Sequence, residues 1–202
     1  EKIMNGGLVG VGSGTTATSL QFKNDAFGTS DFEAVKDLTG SFAATSYLKG
    51  ENRGYSIANA KVKRDGVRQG EKESTAYSSQ NEAYALVLNA EDWVKYLVDA
   101  PETDDYSLSL TVGKSSKGCV FEIIIDNQTI IKSEIPEDLE FGTQSYVNVN
   151  AGSFHVEKGV HSLKIRVFDG TLDVLNLSTS KNATALGQVT DSLRDKDSSV
   201  FS

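Results

Sequence analysis

Cysteine, histidine and proline are scarce in this chain: one, two and two residues respectively out of 202. Cys119 alone closes no internal disulfide, and with His155 and His161 it forms neither CxxC nor HExxH spacing, so a disulfide framework and structural zinc are both excluded. Positive charge is also short. Twenty Lys+Arg stand against 28 Asp+Glu, a formal net charge of −8. That balance argues against nucleic acid or anionic lipid as a partner, because both are held largely by Lys/Arg neutralisation of phosphates. Apolar runs are short as well, and none approaches the roughly 20 residues of a membrane-spanning helix. A nucleophile elbow is missing, since Ser13 is preceded at minus two by Val11 and Ser153 by Ala151.

What the chain does have is glycine, 18 residues of it, and short apolar segments separated by Gly and Asx turns. The segment 106–112, Tyr-Ser-Leu-Ser-Leu-Thr-Val, alternates at period two and reads as a half-buried strand. Residues 119–126 are β-branched and more continuously apolar, and Asp126-Asn127 ahead of 128–131 predicts a hairpin turn, making this pair a central hairpin. In 159–168, His161, Leu163, Ile165 and Val167 fall on one face and Val160, Ser162, Lys164, Arg166 and Phe168 on the other. A last strand over 172–177 follows the turn Asp169-Gly170. The expectation is an all-β fold, an antiparallel β-sandwich of jelly-roll type, with little helix.

Three regions are expected: a Gly/Ser/Thr-rich lead-in strand or linker over 1–24, the sandwich module over 25–178, and a polar tail or linker over 179–202. The run 10–16 does not make a phosphate loop. Ser13 stands where a P-loop lysine is required, and no amphipathic helix follows. Catalysis finds equally little. His155 and His161 read as structural histidines, and Asp104, Asp105, Glu137, Asp138 and Glu140 as solvated turn acids. The basic stretch 61–68 is followed by Glu71 and Glu73 and reads as a solvated strand and turn.

In order along the chain come Phe32-Glu-Ala, Ser46-Tyr47, Asn52-Arg-Gly-Tyr55, Asp92-Trp-Val-Lys-Tyr96, the 106–110 strand, Phe121 to Asp126, Gly159-Val-His-Ser-Leu163 and Leu172-Asp173. This register resembles the family 6 and family 35 carbohydrate-binding modules, galactose-binding-like jelly rolls attached to secreted bacterial glycoside hydrolases. The resemblance covers about 32–177, and its more specific pieces are 92–96 and 159–163.

The resemblance implies a non-catalytic carbohydrate-binding module of a larger secreted or cell-surface protein, with a polysaccharide or glycan, or a neighbouring protein module, as partner. At the positions where many family 6 members stack a sugar between two aromatics and hydrogen-bond it through asparagine, this chain has Val87, Thr143 and Thr171. A relocated site would draw on Tyr84, Tyr146, Gly142, Thr143 and Thr171, with Tyr47 and Tyr55 offering a second surface. The alternative is a structural or interaction module that has lost sugar binding. The family's structural Ca2+ would use Glu33 and Asp173, with Val35 at the second position of the first strand. Trp93 is implied to be a packing residue, buried like Cys119.

Overall fold

A computed structural model describes residues 34–68 and 70–182. The Gly-rich lead-in, most of the polar tail and Glu33 lie outside the described residues. The chain divides in two, and the described residues from Val35 onward fall in the second unit.

The second unit is a β-sandwich of two six-stranded sheets. One contains β1 (Lys36–Asp37), β3 (Tyr55–Ser56), β8 (Trp93–Ala100), β10 (Val120–Ile125), β11 (Thr129–Glu134) and β13 (Gly159–Asp169), in the order β1-β8-β13-β10-β11 with β3 also on β8. The other contains β2 (Ser41–Ala43), β6 (Thr75–Ser78), β7 (Ala83–Asn89), β9 (Asp104–Gly113), β12 (Tyr146–Val156) and β14 (Thr171–Lys181), in the order β12-β9-β14-β7-β6 with β2 on β14. A small ribbon pairs β4 (Lys61–Val62) with β5 (Lys72–Glu73). All pairings between these strands are antiparallel except β1 with β8, which is parallel.

Period-two patterning places the core between the sheets. Val94, Tyr96 and Val98 of β8 point inward with Leu163, Ile165 and Val167 of β13 and with Phe121, Ile123 and Ile125 of β10. They meet Tyr106, Leu108, Leu110 and Val112 of β9 and Leu172, Val174 and Leu177 of β14 in one cluster. Cys119 is buried there too, and that environment pushes its thiol up to about 12, so it stays protonated and inert. Alternation over 106–112 and 159–168 is therefore the main instruction for the two sheet faces.

Four expectations are corrected by the fold. The β10–β11 hairpin is peripheral, with β11 at the sheet edge; its turn falls where expected, Asp126 and Asn127 taking φ of 54° and 59° in the three-residue connection between the paired Ile125 and Thr129. Trp93 is only half-buried and stands on the outer face of its sheet, because Val94 and Tyr96 take the inward positions of β8. The last strand continues past 177 to Lys181, pairing with β9 throughout, so the polar residues after Ser178 begin as strand. Arg68, at the end of the stretch read as solvated, is fully buried.

In β12 the ladder with β9 shifts register between Asn150 and Gly152. Gly152, at φ +142°, has space for no more than tight contact above it: a Cβ there would lie 3.3 Å from Cγ2 of Ile131 on β11.

Candidate functional site

The β6–β7 hairpin forms one edge of its sheet and carries two tyrosines in direct cross-strand register, Tyr77 and Tyr84. Their ring centroids are 5.1 Å apart at 64°, an edge-to-face pair. Tyr84 is half-buried, and Tyr77 is 57% exposed. Tyr84 therefore props a ring that solvent reaches. The hairpin turn supplies Gln80, whose side-chain amide donates to the carbonyl of Thr143 at 3.1 Å and accepts from the backbone N–H of Ser145 at 2.6 Å. This double contact fixes the exposed loop 142–145 beside the hairpin, with Gly142 in the left-handed region at φ +56°.

Tyr146 begins β12 opposite Gly113 of β9. Its hydroxyl donates to Oδ1 of Asp173 on β14 at 2.9 Å, while Ser115 lies 3.4 Å from Oδ2. Burial raises the pKa of Asp173, partly offset by the hydrogen bonds from Tyr146 and Ser115; burial and the Asp173 contact raise that of Tyr146. Two residues along, the Thr171 hydroxyl donates to Oδ1 of Asn89 at 2.9 Å. Of the seven residues expected to bind sugar, Gly142, Thr143 and Tyr146 adjoin along one segment, and Tyr84 is tied to that segment through Gln80. Thr171 shares β14 with Asp173. Tyr77 and Gln80 were missed: Thr75-Ala-Tyr-Ser78 carries no period-two pattern, and Ala76 and Tyr77 are both exposed.

Tyr47 and Tyr55 do not offer a second surface. They are 0% and 2% exposed. Their rings enclose Arg68, whose guanidinium carbon lies 3.5 Å from the Tyr47 centroid and 5.7 Å from that of Tyr55. The Tyr47 hydroxyl donates to the Lys72 carbonyl at 2.9 Å, and the Lys72 N–H donates to the Tyr55 oxygen at 3.2 Å. Arg68 itself donates to the carbonyls of Thr45, Tyr47 and Leu48 at 3.0, 2.5 and 3.1 Å. A sugar cannot reach a ring face already covered by a buried cation.

For calcium, the described donors do not form a cage. Among the described residues there is no group of three or more His, Cys, Asp or Glu side chains. Asp173 contributes one carboxylate, already bonded by Tyr146, and the Val35 side chain is exposed at 39%. Glu33 lies outside the described residues. A hard cation asks for six or more oxygens, and of the two side chains expected to supply them only Asp173 is among the described residues.

Two other carboxylates are buried but committed to the backbone. Asp92 accepts from the N–H groups of Ala58 and Asn89 at 3.0 and 2.8 Å, and Glu73 accepts from that of Arg68 at 2.8 Å. They cap turns and leave no carboxylate poised for proton transfer there. His155 is exposed with Nδ1 2.8 Å from Asp105, and His161 bonds Asp126 and the Glu157 carbonyl, each at 2.6 Å.

Among the described residues no helix is long and apolar enough to cross a membrane. No family model matches the sequence, and no curated protein matches it. Solved structures do match in fold. A family 6 carbohydrate-binding module whose binding sub-sites were dissected by crystallography and calorimetry superposes with a TM-score of 0.50 at 14% identity, covering 73% of this chain and 98% of its own. A family 6 module from Clostridium stercorarium, solved with cellobiose, superposes with a TM-score of 0.52 at 10% identity, covering 74% of this chain and 98% of its own. The chain thus has the β-sandwich fold of the carbohydrate-binding modules that its sequence register resembles.

Proposed function

We propose that this protein is a non-catalytic glycan-binding module of a secreted or cell-surface protein, and that it binds through the Tyr77–Tyr84 hairpin and the adjoining loop 142–146. The observation that carries this reading is the exposed Tyr77 ring, held edge-on by Tyr84 on a hairpin that Gln80 locks to that loop. A solvated aromatic face on a rigid sheet edge is what stacking on a pyranose requires. The fold likeness to modules solved with sugars supports it. With one exposed ring contributing on the order of 1 kcal/mol beyond area burial, the dissociation constant is expected to be roughly millimolar. The test is a glycan array followed by calorimetric titration of the best oligosaccharide into wild type, Tyr77→Ala and Tyr84→Ala. Loss of binding in Tyr77→Ala supports the site, and wild-type binding by both variants removes it.

One observation favours a second reading, an interaction module without sugar binding. Val87 and Thr143 leave the usual stacking positions without rings, Thr171 stands where such modules hydrogen-bond the sugar through asparagine, and Gln80 crosses to Thr143. An array without hits across plant, algal and host glycans would select this reading.

A further inference from the structure

The outer face of the β8–β13 sheet carries a charge arrangement that the core does not need. Lys95 of β8 and Lys164 of β13 are direct cross-strand partners, so two ammonium groups stand side by side on one face. Like charges placed directly opposite each other destabilise a sheet. Trp93 offsets part of that cost: Nζ of Lys164 lies 4.4 Å from its ring centroid and Nζ of Lys95 lies 5.6 Å away. Arg166, opposite Trp93, is neutralised by Glu91 and by Glu122 at 3.5 Å. Among the described residues neither Lys95 nor Lys164 has a carboxylate partner. Burial, Lys95 and Arg166 together lower the pKa of Lys164, as expected of cations gathered without counter-charge. Half-buried Leu97 and Ile124 continue the face as flat apolar surface.

We propose that this face, built on Lys95, Lys164 and Trp93, is a second binding surface, distinct from the Tyr77 hairpin, and that its occupant is an anionic polysaccharide. Two adjacent ammoniums with no carboxylate partner among the described residues call for an anion at this face, against the overall net charge of −8. The flat ring and aliphatic floor between strands suit a polymer that brings an acid group and an apolar sugar face in each repeat. The acid is a carboxylate or a sulfate ester, and both present oxygens to Lys in the same way.

Trp93 is the single tryptophan of the chain, so its fluorescence reports on this face alone. The full chain is titrated at low salt with polygalacturonate, with dextran sulfate, with neutral dextran and with poly-glutamate. The expected result is a saturable fluorescence change with polygalacturonate or dextran sulfate, the responsive one identifying the acid group, and none with neutral dextran. It should weaken at least about tenfold in about 0.5 M NaCl, where the Debye length is only a few Å. By affinity electrophoresis, K95Q/K164Q should lose retardation while keeping the wild-type circular dichroism spectrum, each single variant should weaken it severalfold, and Tyr77→Ala should leave it intact. No response to either acidic polysaccharide overturns the proposal, as does wild-type retardation of the double variant. An equal response to poly-glutamate assigns the face to acidic protein segments instead and overturns the glycan assignment.

Discussion

Tyr146 reaches Asp173 across the bare backbone of Gly113, its hydroxyl donating to Oδ1 at 2.9 Å over the strand that separates β12 from β14. A Cβ at Gly113 would lie 2.6 Å from Oδ2 of Asp173 and 3.0 Å from Cε2 of Tyr146. The glycine is thus required by side chains that close above it, since its own backbone is extended. Gly113→Ala is expected to cost about 1–3 kcal/mol through overpacking, and Tyr146→Phe about 1 kcal/mol through the lost hydrogen bond. Urea unfolding measures both. A neutral Gly113→Ala would contradict the crossing.

Arg68 is expected to be the costliest polar residue to remove. Arg68→Ala leaves three carbonyls without their donor and two tyrosines facing a void, a loss of about 3–5 kcal/mol. Arg68→Lys keeps the charge but not the planar fork, and should fall between alanine and wild type. Chemical denaturation of the three proteins checks the order. Wild-type stability in Arg68→Ala would show that the Tyr47–Arg68–Tyr55 stack is dispensable.

Stability should decline as the pH is raised past neutrality, through His161. Burial alone lowers its pKa, but the hydrogen bonds to Asp126 and to the Glu157 carbonyl outweigh this and raise it above 6.5. Both ring nitrogens face acceptors, which only the imidazolium satisfies as a double donor. A raised folded pKa means that the contribution is full below the unfolded value near 6.5 and is lost as pH rises through the folded one. Denaturation midpoints between about pH 5.5 and 8.5 should fall across that window in wild type and flatten in His161→Gln. Parallel slopes in the two proteins would assign the effect elsewhere.

Calcium is expected to leave the melting temperature unmoved, because the Asp173 carboxylate is already engaged by Tyr146 and Val35 brings no side-chain oxygen to the other expected position. Melting with added calcium, with chelator, and in Asp173→Ala tests this. A calcium-dependent rise that Asp173→Ala abolishes would mean that the ion binds the folded chain through Asp173 with ligands outside the described residues, Glu33 first among them.

The sandwich was legible because alternation survives in single strands: Tyr106, Leu108, Leu110 and Val112 announce an inward face without knowledge of the partner strand. Partnership was not legible. Nothing local distinguishes the β10–β11 hairpin as an edge, since that depends on β13 taking the other side of β10. The buried Arg68 was hidden for the same reason, its acceptors lying 20–23 residues upstream in a stretch without strong pattern. Tyr47 and Tyr55 looked like available rings because a sequence counts aromatics without showing what covers them. In the candidate site, Tyr84 and Tyr146 were found by residue type, whereas Gln80 matters only through a contact 63–65 residues away.

The register shift at Gly152 has a consequence for the protein in company with copies of itself. β12 is the outermost strand of its sheet, eleven residues long, and its free side would otherwise offer a continuous row of unpaired N–H and C=O groups. The shift in the ladder with β9 between Asn150 and Gly152 bends and twists β12 in mid-strand, which disfavours a second chain adding along it in register. A module displayed many times over on a surface or along a polymer would be crowded edge to edge. The displaced residue at its rim would work against strand addition under such crowding.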